Sequence, residues 1–329
     1  MFAFISNIFG YLLNFLYNLV NNYGIAIILF SILLRIILLP ITIKQQKSMQ
    51  KTNKIQGQLK SIQLKYKNNP EMLNKETMEL YKREKISPFS GCLSGIVQIL
   101  IILSVFYLVS EPLTYMKKAN DNNPELKTVV EEYKNEIKEN SNNKTRYIEI
   151  ATIAKIRDDY KNITEKINNN EFENNNQADE SKENTENTEN SDSKETLEKK
   201  KGLLEQLNIN MDFLGLDLSK VPNENWKDFT VYIIPLLYVI SSFISIRITT
   251  NMQGKSNSKK ENKDGKDNKD EVDTMAQMNK SMSYMMPIMT LSIAFIAPLG
   301  LALYWLVSNI LMIGERVIIK KLVDNKEAE

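Results

Sequence analysis

Of the 329 residues 43% are hydrophobic and 25% are charged, and the two kinds alternate as long apolar runs and runs of Lys, Asn and Glu. Such segregation reads as a multi-span membrane protein with polar insertions. The absence of histidine removes His-based acid–base catalysis and His-rich metal sites, and the single Cys92 cannot form an internal disulfide.

The opening MFAFISNIFG has no basic leader, no A-x-A site and no cysteine for lipidation, so a cleaved signal peptide is not expected. Residues 1–22 place Phe4, Ile8, Leu12, Phe15 and Leu19 on a broad apolar face. Asn7, Gly10, Asn14, Asn18 and Asn21 recur on the other. This pattern predicts an amphipathic helix lying in the membrane interface, with a short extra span as the alternative.

Residues 23–43, YGIAIILFSILLRIILLPITI, form the first predicted span. Arg35 sits inside it, where a charge costs about 2.5–3.5 kcal/mol on insertion scales. Lys44 lies nine residues on, ~13 Å of helix rise, so snorkelling relieves that cost only partly. The pattern favours an arginine facing a watered, protein-lined cavity over one tolerated near a membrane edge.

Residues 44–86 read as a basic helical hairpin outside the membrane. Ile55, Leu59, Ile62 and Tyr66 step by four, three and four, and Asn69-Pro70 ends one arm and starts the next. The second span is expected over 91–110. Residues 111–228 form a polar excursion whose flanks, roughly 125–167 and 194–208, have helical composition. Its middle, 168–201, is Asn/Glu-rich and is expected to be disordered. The third span is read at 229–249, a mobile cytoplasmic loop at 250–281, and two short spans at 282–297 and 299–315. A cytoplasmic tail fills 316–329. At about sixteen residues each, ~24 Å of helix, the last two spans suggest a locally thinned membrane.

Charge sets the expected orientation. The hairpin carries eleven basic against four acidic residues, and the excursion eighteen against twenty-six. The positive-inside rule then puts the hairpin, the 250–281 loop and the C-terminus in the cytoplasm, and the N-terminus and excursion outside.

Each span carries polar residues at a similar depth: Ser31 and Arg35, then Ser94 and Gln98, then Ser241 and Ser242, then Thr290, then Ser308 and Asn309. Taken singly, the Ser and Thr residues fit interhelical hydrogen bonding. Arg35, Gln98 and Asn309 at matching depth instead suggest a hydrophilic concavity open to the cytoplasm. No acidic residue falls inside a predicted span, and Glu315 is placed at the cytoplasmic end of the fifth, so Arg35 has no evident buried partner. A proton or cation pathway, which would show intramembrane Asp, Glu or His, is disfavoured.

The runs IILFSILLRIILLPITIKQQKSMQK, SPFSGCLSGIVQIL, FLGLDLSKVP and MPIMTLSIAFIAPLGLALYWLVSNI resemble the YidC family of membrane protein insertases. The similarity covers about 1–115 and 211–320, leaving 116–210 as a long insertion. The resemblance implies an all-α protein of five transmembrane helices with an interfacial N-terminal helix and a cytoplasmic hairpin. It implies insertion of nascent membrane proteins through a cytoplasm-open groove, alone or with the Sec translocon, without nucleotide hydrolysis. The implied partners are nascent membrane proteins, the ribosome, the translocon and the lipid bilayer. The implied setting is the bacterial plasma membrane, with the chain working as a monomer and needing no cofactor, metal or catalytic residue. Within the family pattern, Arg35, Gln98 and Trp305 fall on groove positions, and Ser31, Ser242, Thr290 and Asn309 complete the expected lining. The short, charge-balanced tail weakens any expectation that it binds ribosomes.

Two rivals are weaker. A small-anion transporter or channel using Arg35 lacks an internal repeat of spans and interrupted half-helices. An intramembrane enzyme lacks a histidine, an aspartate in a span and a phosphate-binding loop.

Overall fold

In a computed structural model the described residues are 2–85, 90–118, 123–140, 145–169, 194–257 and 292–326. They form an all-α membrane protein divided into two compact units, one comprising 3–26 and 106–219, the other 27–105 and 220–329.

The first unit begins with helix α1 (Phe2–Val20). Its Ser6, Gly10, Leu13 and Tyr17 are buried, whereas Phe4, Ile8, Tyr11, Phe15 and Leu19 stand exposed in one row. The buried face thus mixes small and polar groups with Leu13, Leu16 and Tyr17, while a row of large apolar side chains stands exposed, as on a helix that meets lipid. Asn21 ends α1 in the left-handed region at φ 47°, a conformation asparagine tolerates better than most residues. Asn22 then caps α2 (Tyr23–Lys65) by accepting from Ile25 N at 3.1 Å. This turn is clamped from the 210–212 segment: Tyr23 N donates to Asn210 O at 2.9 Å, and Asn22 Nδ2 to Asp212 O at 2.7 Å.

Helix α4 (Ser90–Ser110) ends in this unit, followed by α5 (Pro112–Tyr115), which has proline in its first turn. Three helices form the excursion: α6 (Pro124–Asn140), α7 (Ile148–Asn168) and α8 (Lys194–Leu207). Val130, Tyr133, Ile150, Ile153, Ile156, Leu197, Leu204 and Leu207 are buried in this unit. The buried Glu149 carboxylate accepts from Thr114 N (3.1 Å) and Thr114 Oγ1 (2.5 Å) and pairs with Lys134 at 2.9 Å. Burial, then the nearby Glu149 charge, raises the Glu111 carboxyl above its ordinary range. Burial lowers the Lys117 ammonium.

A two-stranded hairpin, β1 (Asp212–Phe213) and β2 (Leu216–Asp217), turns at Leu214 (φ 52°) and Gly215 (φ 78°). Asp217 binds Arg157 of α7 through both oxygens, at 3.2 and 2.8 Å. Burial alone would raise the Asp217 carboxyl, but the hydrogen bonds from Arg157 and Ser219 outweigh it and hold it low.

In the second unit α2 continues past the apolar stretch, so span and first hairpin arm are one 43-residue helix with Pro40 inside it. Helix α3 (Pro70–Arg83) starts where the Asn69 side chain accepts from Met72 N at 3.1 Å. Ile55 and Leu80 are the buried centre between the two arms, flanked by Leu59, Ile62 and Tyr81, and Arg83 donates to Gln58 at 2.9 Å. A short 3-10 turn (Phe229–Tyr232), capped by Asp228, leads into α9 (Ile233–Asn257). The Lys220 hydrogen bond, then those from Thr230, lower the Asp228 carboxyl to about 2. Residues 292–296 are helical, and α10 (Leu299–Lys326) packs extensively along α9. The 220–228 loop is stitched to this end of the bundle by Leu299 N to Lys220 O (2.9 Å) and Asn223 N to Phe295 O (3.0 Å).

Among the described residues, Ala3–Val20, Tyr23–Ser48, Phe229–Ile248 and Leu299–Ile319 are long and apolar enough to cross a membrane, and Ile99–Ser110 is a shorter apolar stretch. Three expectations need correction. The low-complexity reading of 168–201 fails over 194–201, which is helical because Leu197, Leu204 and Leu207 supply a buried seam; 170–193 lie outside the described residues. The loop expected from 250 is helical as far as Asn257; 258–281 lie outside the described residues, as do 282–291 of the expected fourth span. The fifth span is not short: Val317, Ile318 and Ile319 extend its apolar window to 21 residues, ~32 Å of helix.

Candidate functional site

The site is built on α10, which polar groups join to α2 and to α9. Arg35 is one turn beyond Ser31 on α2. Its Nη2 donates to Ser308 O of α10 at 3.0 Å, and its Nη1 lies 3.5 Å from Glu315 Oε2. The Arg35 side chain is 20% exposed and that of Glu315 only 9%. The expectation of an unpartnered arginine is therefore overturned. Helix α10 carries Glu315 inside the apolar window, seven residues and about two turns beyond Ser308, so a carboxylate reaches Arg35. Arg316 adds a second positive charge within electrostatic range of both.

One residue along from Ser308, the buried Asn309 donates from Nδ2 to Ser241 Oγ (2.9 Å) and Ser242 Oγ (3.2 Å) on α9. Both serines in turn donate to Tyr238 O, at 2.7 and 2.9 Å. Each hydroxyl thus donates within its own helix and accepts across the interface, which satisfies a polar seam in an apolar setting. Trp305, half-buried one turn before Asn309, stacks at a tilt on Tyr238 with ring centroids 6.1 Å apart. Ser31 is fully buried, and its hydroxyl donates to Ile27 O of its own helix at 2.7 Å.

Arg35, Trp305, Asn309 and Ser242 are thereby brought onto three contacting helices. Ser31 is on the same helix as Arg35 but turned to its own backbone. The Gln98 side chain and Thr290 lie outside the described residues. Glu315 and Ser241 were not among the expected lining residues. The signal for Glu315 was the apolar Val317-Ile318-Ile319 run beyond it, which places it within a span. No group of three or more potential metal ligands occurs among the described residues.

These features define a polytopic α-helical membrane protein with a charged pair and a polar seam inside its apolar bundle. The family model for the 60Kd inner membrane protein matches residues 15–136 and 201–327, and the chain belongs to that family. The unmatched stretch is thus 137–200, narrower than the insertion expected over 116–210. A membrane protein insertase YidC of Fusobacterium nucleatum is 43% identical over 106 residues, 32% of this chain and 52% of that protein. The membrane protein insertase YidC of Francisella tularensis subsp. novicida is 40% identical over 111 residues, 34% of this chain and 20% of that protein. The match therefore spans about half the length of the first relative and a fifth of the second.

Proposed function

We propose that this chain is a membrane protein insertase, receiving nascent membrane proteins from the cytoplasm and passing them into the lipid without nucleotide hydrolysis. Family membership and the insertase relatives support the class; the single observation that carries the mechanism is Arg35, a partly exposed charge inside an apolar bundle. Moving a polar client segment across lipid unaided costs several kcal/mol for each unsatisfied backbone group. A groove open to the cytoplasm, with Arg35 at its inner end and Trp305 on its wall, shortens that crossing and attracts client carboxylates. Asn309 and Ser242 hold α9 and α10 together beside it. Apolar client segments leave along the exposed apolar helix faces.

In this reading the hairpin of α2 and α3 is a cytoplasmic reception surface of positive charge for nascent chains and the ribosome, and the translocon is an optional partner. The N-terminus and the excursion lie outside the bacterial plasma membrane, with α1 laying its apolar row into the bilayer. The chain acts as a monomer. Depleting the protein from its own cells tests the proposal. Small single-span membrane proteins should accumulate uninserted, whereas unchanged insertion at full depletion contradicts it.

A further inference from the structure

The contact between Arg35 and Glu315 is half made. A guanidinium matches a carboxylate best as a fork, through two parallel hydrogen bonds. Here Nη2 is committed to Ser308 O at 3.0 Å, leaving Nη1 to reach Glu315 Oε2 at 3.5 Å, the long limit for a hydrogen bond. The other oxygen, Glu315 Oε1, is buried and meets no donor among the described residues. A buried carboxylate oxygen without a donor is a costly arrangement, so this carboxylate is poorly held. Arg316 adds a second positive charge close by, so the cluster of Arg35, Glu315 and Arg316 keeps a positive excess with its one carboxylate in place.

We infer that Glu315 is a specificity-determining residue: an internal carboxylate that occupies Arg35 and that an acidic client segment must displace. The inference rests on the insertase reading and names the client feature to which that site responds. The guanidinium carries five N–H donors, and a client carboxylate approaching its exposed side can take two that Ser308 O and Glu315 leave over among the described residues. A client segment without carboxylates gains nothing from that exchange and leaves the Arg35–Glu315 contact as it is. Glu315 therefore sets how much negative charge a client needs in order to engage Arg35, and Ser308 O holds the guanidinium in place through the exchange.

The test is binding to the purified full chain in nanodiscs of neutral lipid. Two fluorescent peptides serve as probes, identical except that one carries an acidic tail and the other has Asn and Gln in its place. Glu315→Gln should bind the acidic peptide about tenfold more tightly than the unaltered chain, the effect of ~1.4 kcal/mol, and the neutral peptide equally well. Glu315→Asp, which keeps the charge but withdraws it by one methylene, should show a smaller gain of the same sign. In an Arg35→Ala background the gain should vanish. Unchanged acidic binding in Glu315→Gln, or equal gains for both peptides, overturns the inference. If Glu315→Gln melts below the assay temperature, Glu315→Asp decides in its place, and no acid-selective gain there overturns it. Insertion of a neutral-tailed client by the unaltered chain, run in parallel, tests the insertase reading separately, so failure of one is not mistaken for failure of the other.

Discussion

Arg157 and Asp217 meet fork to fork across sixty residues of sequence, tying helix α7 to the β-hairpin through two hydrogen bonds of 3.2 and 2.8 Å. The pair joins a segment outside the family match to one inside it. Arg157→Ala leaves the Asp217 carboxylate with only its Ser219 donors, and should cost about 2–3 kcal/mol in the first unit. Hydrogen exchange of α7 and the hairpin should rise together if this is correct. Because the folded Asp217 carboxyl is held below its unfolded value, its contribution is present above the ordinary carboxylate range, ~3.9. It is lost as pH falls through the lower folded value. An acid titration of thermal stability should therefore show a loss below about pH 4 that Arg157→Ala diminishes.

Gly10 is required by close approach. A Cβ there would stand 1.9 Å from the Tyr115 carbonyl oxygen and 2.6 Å from its carbon, both backbone. Gly10→Ala should detach α1 from α5 or shift it, exposing residues around Leu13 and Met116 to proteolysis. Gly57, also helical, meets nothing within 4 Å, so Gly57→Ala should stabilise the hairpin by about 1 kcal/mol. Equal effects of the two substitutions on melting temperature contradict the packing described.

Asn309→Ala removes both hydrogen bonds from α10 to Ser241 and Ser242 but leaves each serine donating to Tyr238 O. Interhelical hydrogen bonds in membranes average about 0.6 kcal/mol, so the expected loss is ~1 kcal/mol. Unfolding in mixed micelles reads it. A loss of several kcal/mol would mean that the seam has a further dependence on Asn309.

Leu80, 2% exposed, closes the hairpin against Ile55. Leu80→Asp should part the arms of α2 and α3 while α9 and α10 stay folded, because the buried Ile55–Leu80 centre has only Leu59, Ile62 and Tyr81 packed against it. Spin labels at exposed positions 58 and 82 should show the separation widening, and detergent-resistant folding of the remainder should persist.

The helical class and most of the long apolar helices were legible because apolar runs of twenty residues have few other uses, and the start of α3 was legible because Asn-Pro carries its own capping chemistry. Side-chain pairing was harder to read. Arg35 announced itself by its cost in an apolar run, but its partner did not, because Gly314-Glu315-Arg316 looked like the end of a span. The continuing apolar residues 317–319 were outweighed by those charges. Likewise Ser242 was expected in the lining but Ser241 was not, and only the register of α9 against α10 shows both accepting from Asn309. Over 194–201 two readings overlapped, helical composition and low complexity; the helix won because Leu197, Leu204 and Leu207 are buried.

The chain alone is expected to move client segments across lipid with the help of the Arg35 charge. The most direct measurement is protease protection of a single-span, acidic-tailed client added to liposomes containing only this protein, without nucleotide. Client should be protected with the unaltered chain and substantially so with Arg35→Lys, and should drop about tenfold or more with Arg35→Ala, as expected for a lost charge contact of ~1.5–3 kcal/mol. Protection no greater than in protein-free liposomes would contradict the insertase reading, and full protection with Arg35→Ala would contradict the role given to Arg35.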